Sequence, residues 1–343
     1  MTHYDAVLLV SFGGPEGPDD VLPFMENVTR GRGIPRERLI TVSEHYQLFG
    51  GVSPINAQNR ALLAALHHEL DHRGISLPIF WGNRNWHPML ADTIAEMADA
   101  GITRALAIVT SAYSSYSGCR QYLDDIERAR VAVGDRSPVI DKVRAYFNHP
   151  GFIEPLLDNI AAATIELDAL GAAPDSAILC TAHSIPLSMA TSSPYVEQLR
   201  EVQRMVAEAN PTRPVDLVFQ SRSGPPDQPW LEPDVNDAMR ALAERGANGL
   251  VLAPIGFISD HMEVVYDLDT QARDTARELG LSMTRAATVG TDPRFVTALG
   301  ELIHDRLTDS VPRTIGLLPA RPDVCPASCC PAPARPAPAR PAP

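Results

Sequence analysis

The 343-residue sequence contains no uninterrupted apolar run as long as the roughly 18 residues that a membrane-spanning helix needs. Basic residues are also in short supply, since 29 Lys and Arg against 42 Asp and Glu give a formal net charge of −13 at pH 7. Nucleic acids and anionic membranes bind clustered Lys and Arg, so this balance argues against both as partners. No basic stretch precedes a longer apolar one near the first residues, so we expect no secretory signal. These absences predict a cytoplasmic protein without integral membrane association.

Cysteine is scarce, and its number is odd. Five cysteines, three of them between residues 325 and 330, do not resemble the paired framework of a small secreted protein. Hydrophobic residues make up 45% of the chain, enough for a sizeable core, which excludes global disorder. The exception is Pro331–Pro343, which consists only of Pro, Ala and Arg and is typical of a polyproline segment without a core.

Six short runs rich in Val, Ile and Leu alternate with longer segments of helical periodicity. This alternation predicts an α/β fold with parallel sheets that carry helices on both faces. The predicted strands are Ala6–Val10, Leu77–Trp81, Ala105–Thr110, Ala177–Thr181, Val215–Phe219 and Gly249–Pro254.

The two halves of the chain repeat the same plan, because three strands in each half end in polar, turn-rich loops. Ligands of open α/β sheets bind beyond the carboxyl ends of the strands, so two facing halves would form one cleft. We predict two Rossmann-like domains, an N-terminal half at 1–150 and a C-terminal half at 151–310, with the cleft between them. A Cys-containing, Pro/Ala-rich tail at 311–343 is predicted to be mostly disordered.

His183 is the first candidate for a chemical role, because it directly follows a buried strand in a loop fixed by Pro186. A neutral imidazole accepts a proton or binds a metal ion near pH 7. A structural histidine bonded to the loop backbone explains the same pattern, so this position alone leaves both interpretations open.

The acidic segment after the last buried strand is the second candidate. Glu263 and Asp267 are four residues apart and Asp260 precedes Glu263 by three, which predicts three carboxylates on one helix face. Ser259 or Asp260 is expected to cap this helix. An acidic first turn favoured by the helix dipole is the plainer interpretation. The apolar neighbours of the segment, such as Phe257, indicate instead that the helix start is not freely exposed.

Three further segments are weaker signals when taken singly. Ser53-Pro54 begins a predicted helix whose N-terminus suits an anion. Gln220–Pro226 is a rigid loop that leads to a large aromatic residue, Trp230. The locally basic Arg30-Gly31-Arg32 could bind an anionic ligand.

Together these segments resemble the ferrochelatase family, whose members insert ferrous iron into a porphyrin. The similarity extends in order from residue 6 to about residue 306 and is closest to the actinobacterial and other Gram-positive enzymes that act on coproporphyrin III. The matching sequences are Ser11-Phe12-Gly13-Gly14-Pro15, Gly50-Gly51-Val52-Ser53-Pro54, Ala182-His183-Ser184-Ile185-Pro186, Gln220-Ser221 with Pro229-Trp230-Leu231, and Pro254-Ile255-Gly256-Phe257-Ile258-Ser259-Asp260-His261-Met262-Glu263.

The resemblance implies a two-domain chelatase fold with the porphyrin in the interdomain cleft and Fe²⁺ as substrate metal. His183 and Glu263 would be the catalytic, iron-binding pair, and which of them binds iron first stays open. Asp260, His261 and Asp267 would lie along the path of the metal or the protons. Phe12 stands where some relatives have tyrosine, so a phenol ligand is absent there. The side chains implied to contact the porphyrin are Ser53, Tyr46, Tyr122, Arg30 and Phe12.

Chemistry supports this assignment independently. A free porphyrin carries two pyrrole N–H protons that must leave as the metal enters, and its flat ring shields the nitrogen lone pairs. A productive site must therefore hold the ring bent and accept protons. One imidazole and one carboxylate supply both proton acceptors and transient ligands for Fe²⁺.

Four cysteines resemble the [2Fe–2S] ligands of several ferrochelatases, including actinobacterial ones. The adjacent Cys329 and Cys330 are spaced more tightly than that pattern, so a redox-active or incidental thiol patch stays an alternative. Cys180 lies inside a predicted strand and is expected in the core. The candidate ligands are Cys119, Cys325, Cys329 and Cys330.

Three other functions remain open at this stage. The first is a membrane-associated ferrochelatase that uses protoporphyrin IX, although the polar, acidic segment Gly13–Asp20 and the nearby arginines favour a substrate with four propionates. The second is a cobalt or nickel chelatase of the same fold, which would usually carry more histidines at the metal face. The third is a non-catalytic protein that binds haem or an iron–sulfur cluster. The resemblance also leaves room for a transient contact with other haem-pathway enzymes.

Overall fold

The computed structural model describes residues 2–31, 33–172, 175–224 and 227–333. Strand β1 shows why the apolar runs form strands, because all six of its residues are buried and both of its faces are covered. The strands are β1 (Ala6–Ser11), β2 (Ile79–Asn83), β3 (Arg104–Val109), β4 (Val139–Lys142), β5 (Ser176–His183), β6 (Val215–Gln220), β7 (Gly249–Ala253) and β8 (Ser282–Arg285).

The strands form two four-stranded parallel sheets with the same topology. The first has the order β2-β1-β3-β4 and the second the order β6-β5-β7-β8. This confirms the predicted α/β class and the repeated plan of the two halves. The sequence analysis missed the edge strands β4 and β8, because each has only four residues and includes charged side chains.

Helices connect the strands, and four of the helices in the described ranges begin at a side-chain cap. Pro150 starts α6, and the ring of His149 before it accepts a hydrogen bond from the Gly151 amide. The helices are α1 (Val21–Val28), α2 (Arg36–Gln47), α3 (Ile55–His72), α4 (Leu90–Asp99), α5 (Gln121–Val133), α6 (Pro150–Ala169), α7 (Leu187–Thr191), α8 (Tyr195–Ala209), α9 (Val235–Glu244), α10 (Met262–Val265), α11 (Arg273–Leu279) and α12 (Pro293–Thr308).

Three local features differ from what the sequence predicts. The acidic helix expected to carry Glu263 and Asp267 is interrupted, because the wide π-helical turn Asp267–Ala272 separates α10 from α11. A second π-helical turn, Tyr116–Arg120, leads into α5. Helix α2 was not predicted, and the reason is that Leu39 is its one buried residue, so its apolar pattern is weak. No helix within the described ranges is both long and apolar enough to cross a membrane.

One hydrophobic cluster is shared by the two halves. Val7 and Leu9 of β1 point into it, and so do Ile178 and Cys180 of β5, while the alternate residues of each strand face smaller clusters on the other side. Helix α12 also joins the halves, because it packs against α6 of the C-terminal half and against α3 of the N-terminal half. The two sheets therefore share a core and are held in a fixed relation.

After α12 the chain runs over the surface of the body without a helix or strand as far as residue 333. The backbone N–H of Ile315 donates to the carbonyl of Asn148, and the Asn148 side chain donates to the carbonyl of Leu318. The rest of the tail that was predicted to be disordered, residues 334–343, lies outside the described residues.

Candidate active site

Loops at the carboxyl ends of both sheets meet and hold one another. The Tyr113 hydroxyl, which follows β3, donates to the carbonyl of Ile255, which follows β7, at 2.8 Å. The side-chain oxygen of Gln198 accepts from the Ser114 backbone N–H, and its amide nitrogen donates to the Ser114 hydroxyl, at 2.8 and 3.0 Å. These buried bonds join the loop after β3 of the N-terminal half to the loop after β7 and to α8 of the C-terminal half.

His183 is the last residue of β5, and its imidazole is held in one orientation. Its Nδ1 atom lies against the carbonyl of Ser184, which can only accept, so Nδ1 must carry a proton. The hydroxyl of Tyr195 donates to the carbonyl of His183 at 3.0 Å and steadies the backbone. The free ring nitrogen, Nε2, therefore points to the carboxylate of Glu263, 3.3 Å away.

The pairing of His183 with Glu263 changes the pKa of both groups. Burial favours the neutral imidazole, but the carboxylate outweighs it and raises the pKa of His183 to about 9. Burial likewise favours the neutral carboxyl, but the imidazolium outweighs it and lowers the pKa of Glu263 to about 2. The side chains are 31% and 44% exposed, so the pair is open to a ligand. Below a pH of about 9 the imidazole therefore carries a second proton, on Nε2, which faces the ionised carboxylate of Glu263.

Asp267 lies beside this pair and is held by the loop after β6. The Ser221 hydroxyl donates to its carboxylate, and the Gln220 side chain donates to the carbonyl of Glu263 and, at 3.5 Å, to Asp267. Burial, together with the charge of Glu263, raises the pKa of Asp267 to about 7 despite these donors. Asp267 is therefore poised to gain or lose a proton near neutral pH.

The residues before Glu263 are arranged differently from the expected helix cap. His261, not Ser259 or Asp260, caps α10, because its Nδ1 accepts from the backbone N–H of Glu263 at 3.2 Å. Burial lowers the pKa of His261, so the ring is neutral with its proton on Nε2. Asp260 precedes the helix, and its carboxylate is bound by Arg285 at 3.1 Å, so it does not share a helix face with Glu263.

Tyr46 approaches the acidic side chains from the N-terminal half. It lies in α2, and burial, followed by the charges of Glu263 and Asp267, raises its pKa. Its neighbour His45 stacks on Tyr266, with ring centroids 4.1 Å apart and an angle of 16° between the planes. Helix α2 of the N-terminal half thus contacts the segment of the C-terminal half that carries Glu263 and Asp267.

Phe12 and Tyr122 are connected through an arginine that the sequence analysis did not single out. The Arg84 guanidinium lies 4.4 Å from the Tyr122 ring centroid and 5.8 Å from that of Phe12. Phe12 is 36% exposed, whereas Tyr122 is only 4% exposed. Arg84 is itself anchored by the buried carboxylate of Asp125.

Ser53 and Arg30 occupy different environments. Ser53 is buried, and its backbone N–H donates to Pro15, which brings the Gly-rich turn after β1 against it. A side chain at Gly14 would lie 2.7 Å from the Ser53 Cβ, so only glycine fits there. Arg30 is exposed, and Arg32 lies outside the described residues.

The four candidate cysteines lie in one neighbourhood at the start of α5. Cys330 is 1% exposed, and burial, with the thiols of Cys329, Cys119 and Cys325, raises its pKa to about 12. The sulfur atoms of Cys329 and Cys330 are 3.7 Å apart. Within the part of the chain that the structure describes, no three His, Cys, Asp or Glu side chains converge as a metal-binding group. Cys180 is fully buried in β5, as expected.

Several residues of the site carried little signal in the sequence. Arg84 follows β2 in a polar loop, where an arginine is expected at the surface. Tyr195 and Gln198 lie on the buried face of α8, where only the three-dimensional arrangement reveals their hydrogen bonds. Gln220 and Ser221 were noted as part of a matching sequence, without a role.

The family model described as ferrochelatase matches residues 4–307. A coproporphyrin III ferrochelatase of Streptomyces coelicolor is 52% identical over 349 aligned residues, covering 95% of this chain and 93% of the relative. A coproporphyrin III ferrochelatase of Nocardia farcinica is also 52% identical, covering 92% of each chain.

The solved structure of the sirohydrochlorin chelatase SirB from Bacillus subtilis subspecies spizizenii has a TM-score of 0.52. It covers 88% of this chain and 95% of SirB at 10% identity, which shows a shared chelatase fold. The match to the family model spans most of the chain, and the relatives are about half identical over nearly their full length. The chain therefore belongs to the ferrochelatase family.

Proposed function

We propose that this protein inserts Fe²⁺ into coproporphyrin III in the cytoplasm, giving the iron complex of that porphyrin, and that His183 and Glu263 perform the insertion. The observation that carries the proposal is the pair itself: an oriented imidazole nitrogen lies 3.3 Å from a carboxylate oxygen, and both are accessible from the cleft. The relatives named above support the choice of substrate.

The proton held between His183 and Glu263 dictates the order of events. A metal ion and a proton compete for the same lone pair on Nε2, so the imidazole must lose its proton before it binds iron or accepts a pyrrole proton. Fe²⁺ near the carboxylate favours that loss, because the positive metal lowers the pKa of the imidazole. The carboxylate of Glu263 stays ionised throughout and offers oxygen ligands.

Asp267 provides the next acceptor for the released protons. Its pKa of about 7 lies below that of His183, and both side chains interact with Glu263. Once iron lowers the pKa of His183, the proton on Nε2 can pass to Asp267 and from there to the water of the cleft. The two pyrrole protons can then follow in turn by the same route, each through the vacated Nε2 and Asp267. Gln220 and Ser221 hold this carboxylate in place for the transfer.

The choice of coproporphyrin III rests on an exposed arginine as well as on the relatives. This porphyrin has four propionates and no vinyl groups, so it needs polar and cationic partners. Arg30 follows α1 and is exposed, so it is available to a propionate of the substrate. We propose Ser53, Tyr46, Tyr122, Arg30 and Phe12 as the porphyrin-contacting side chains.

A direct assay tests this function. Purified protein is given Fe²⁺ anaerobically with coproporphyrin III or with protoporphyrin IX, and loss of the free porphyrin spectrum is followed. We expect turnover with coproporphyrin III that exceeds turnover with protoporphyrin IX. His183→Ala should nearly abolish insertion while porphyrin binding is retained, whereas His304→Ala, on the exposed side of α12, should leave turnover unchanged. Porphyrin binding without turnover in the wild type would favour a non-catalytic binding protein.

We also propose that the thiols of Cys119, Cys325, Cys329 and Cys330 hold a [2Fe–2S] cluster. Four thiolates are the donor set that such a cluster requires. The sulfur atoms of Cys329 and Cys330 are 3.7 Å apart, and the bond from Arg120 to the Cys329 carbonyl brings this end of the tail to the turn that carries Cys119. When bound, the cluster would cross-link the tail to the start of α5. Protein purified anaerobically should be brown and contain two irons and two sulfides per chain, as [2Fe–2S] implies. A colourless, iron-free preparation would contradict the cluster.

A further inference from the structure

The tail after α12 is hydrogen-bonded to the linker that joins the two halves. The linker runs between β4 and α6, and its Asn148 is only 1% exposed. The Ile315 backbone N–H donates to the carbonyl of Asn148 at 2.9 Å, and the Asn148 side chain donates to the carbonyl of Leu318 at 2.7 Å. We call residues 315–330 the strap.

Charged groups attach the middle of the strap to the same linker. Asp323 accepts from the backbone N–H of Arg144 at 3.3 Å, and its carboxylate lies 3.6 Å from the guanidinium of Arg306 in α12. Arg144 is 3% exposed and is also bound by Asp305 at 2.7 Å. Because Arg144 and Asn148 of this short linker are both hydrogen-bonded to the strap, the strap restrains the orientation of the two halves relative to each other.

The far end of the strap contacts the π-helical turn that leads into α5 of the N-terminal half. The Arg120 guanidinium donates to the carbonyl of Pro326 at 2.9 Å and to that of Cys329 at 3.3 Å. Arg120 closes the π-helical turn before α5, and Tyr122 follows two residues later under Arg84. A π-helical turn is a poorly favoured geometry that needs support from outside the helix.

We propose that Arg120 is a positioning residue through which the strap holds Tyr122 and Arg84 in the geometry that binds the porphyrin, so that porphyrin binding and attachment of the strap strengthen each other. The reciprocity is a thermodynamic requirement: if an attached strap raises the affinity for porphyrin, bound porphyrin must stabilise the attached strap by the same factor. This inference rests on the proposed function, because it assumes that the cleft binds a porphyrin.

Hydrogen exchange of the full-length protein measures the strap directly. We expect saturating coproporphyrin III, without iron, to slow amide exchange several-fold in residues 315–330, which do not belong to the cleft. One amide reports on each end of the strap. The Ile315 N–H donates to the carbonyl of Asn148, and the Cys329 N–H donates to the carbonyl of Pro326. Unchanged exchange in the strap at saturation would overturn the proposal.

A matched pair of variants tests the role of Arg120. Arg120→Ala should weaken binding of coproporphyrin III several-fold, speed exchange in residues 326–330 and remove the protection by porphyrin. Arg136→Ala breaks an exposed pair with Asp99 and should change none of these readouts. If Arg120→Ala frees the strap while the porphyrin affinity stays at the wild-type value, Arg120 has no positioning role.

A second variant, at a different attachment of the strap, covers the case in which Arg120→Ala misfolds. Asp323→Asn loosens the middle of the strap from Arg144 and Arg306 without touching the thiols or α5, and it should also weaken porphyrin binding and speed exchange in the strap. Loss of coupling in this variant supports the strap, whereas wild-type affinity with a mobile strap overturns it. Failure of the wild type to bind any porphyrin would overturn the proposed function together with this inference, and binding without coupling would overturn the inference alone.

Discussion

Replacing Glu263 by Gln should release His183 from its raised pKa. The exchange keeps the size and hydrogen-bonding capacity of the side chain but removes the charge that lies 3.3 Å from Nε2. With a pKa of about 9, only about one imidazole in a hundred is neutral at pH 7. Without the carboxylate, burial favours the neutral ring, and the hydrogen bond to the Ser184 carbonyl and the charge of Asp267 oppose it.

The size of the change follows from exposure. The imidazole is 31% exposed and Glu263 is 44% exposed, so water screens part of their attraction. We therefore expect the pKa of His183 to fall by at least about one unit in Glu263→Gln, toward the ordinary value near 6.5. The neutral fraction at pH 7 should rise correspondingly, about tenfold for each unit.

NMR titration of the imidazole protons in the porphyrin-free protein measures this pKa without relying on turnover. The chain has ten histidines, and the signal of His183 is the one that disappears in His183→Ala. Glu244→Gln, at the exposed end of α9, is the matched control and should leave the titration unchanged. A pKa of His183 that stays within a few tenths of the wild-type value in Glu263→Gln would refute the ion-pair argument.

Two further predictions concern stability. Asp267→Asn should raise the melting temperature near neutral pH and slow iron insertion. The pKa of Asp267 is about 7 in the folded protein, above its ordinary value of 3.8. The wild type therefore loses stability as the pH rises from about 4 to 7, and the uncharged asparagine does not. Thermal melts of both proteins across this range should diverge by about 1–2 kcal/mol, and a difference that does not vary with pH would contradict the raised pKa. Arg84→Ala should lower the free energy of unfolding by about 3 kcal/mol, because Asp125 loses its buried cation and keeps only the exposed Arg128. Arg128→Ala removes an exposed partner of the same carboxylate and should cost no more than about 1 kcal/mol in urea denaturation; equal costs would refute the burial argument.

The elements that could be predicted are those whose signal is local. Buried parallel strands are continuous apolar runs, so β1, β3, β5 and β7 were evident from composition alone. His183 could be predicted as a functional residue because it stands at the carboxyl end of a strand. Glu263 could be predicted because it lies in the acidic segment that follows another strand. Their approach to 3.3 Å follows from two strands of one sheet that end at the same edge.

What could not be predicted depends on contacts between distant segments. The cap of α10 is an example: Ser259 and Asp260 have the higher propensity for that position, yet Arg285 of β8 binds Asp260 and leaves His261 to cap the helix. The raised pKa of Asp267 is another, because it depends on burial and on Glu263, which no sequence spacing reveals.

The imidazole and the carboxylate lie on elements that differ in rigidity. His183 ends a central strand, where the shared core leaves its backbone little freedom, and Tyr195 holds its carbonyl. Glu263 begins a four-residue helix that a π-helical turn follows, and such a turn is less regular than the strand. A fixed base beside a more adaptable carboxylate suits a reaction in which a metal ion must enter between two side chains and then leave them for the porphyrin. Exchange measured over 262–272 should therefore be faster than over 176–183, and equal protection of the two segments would contradict this division of roles.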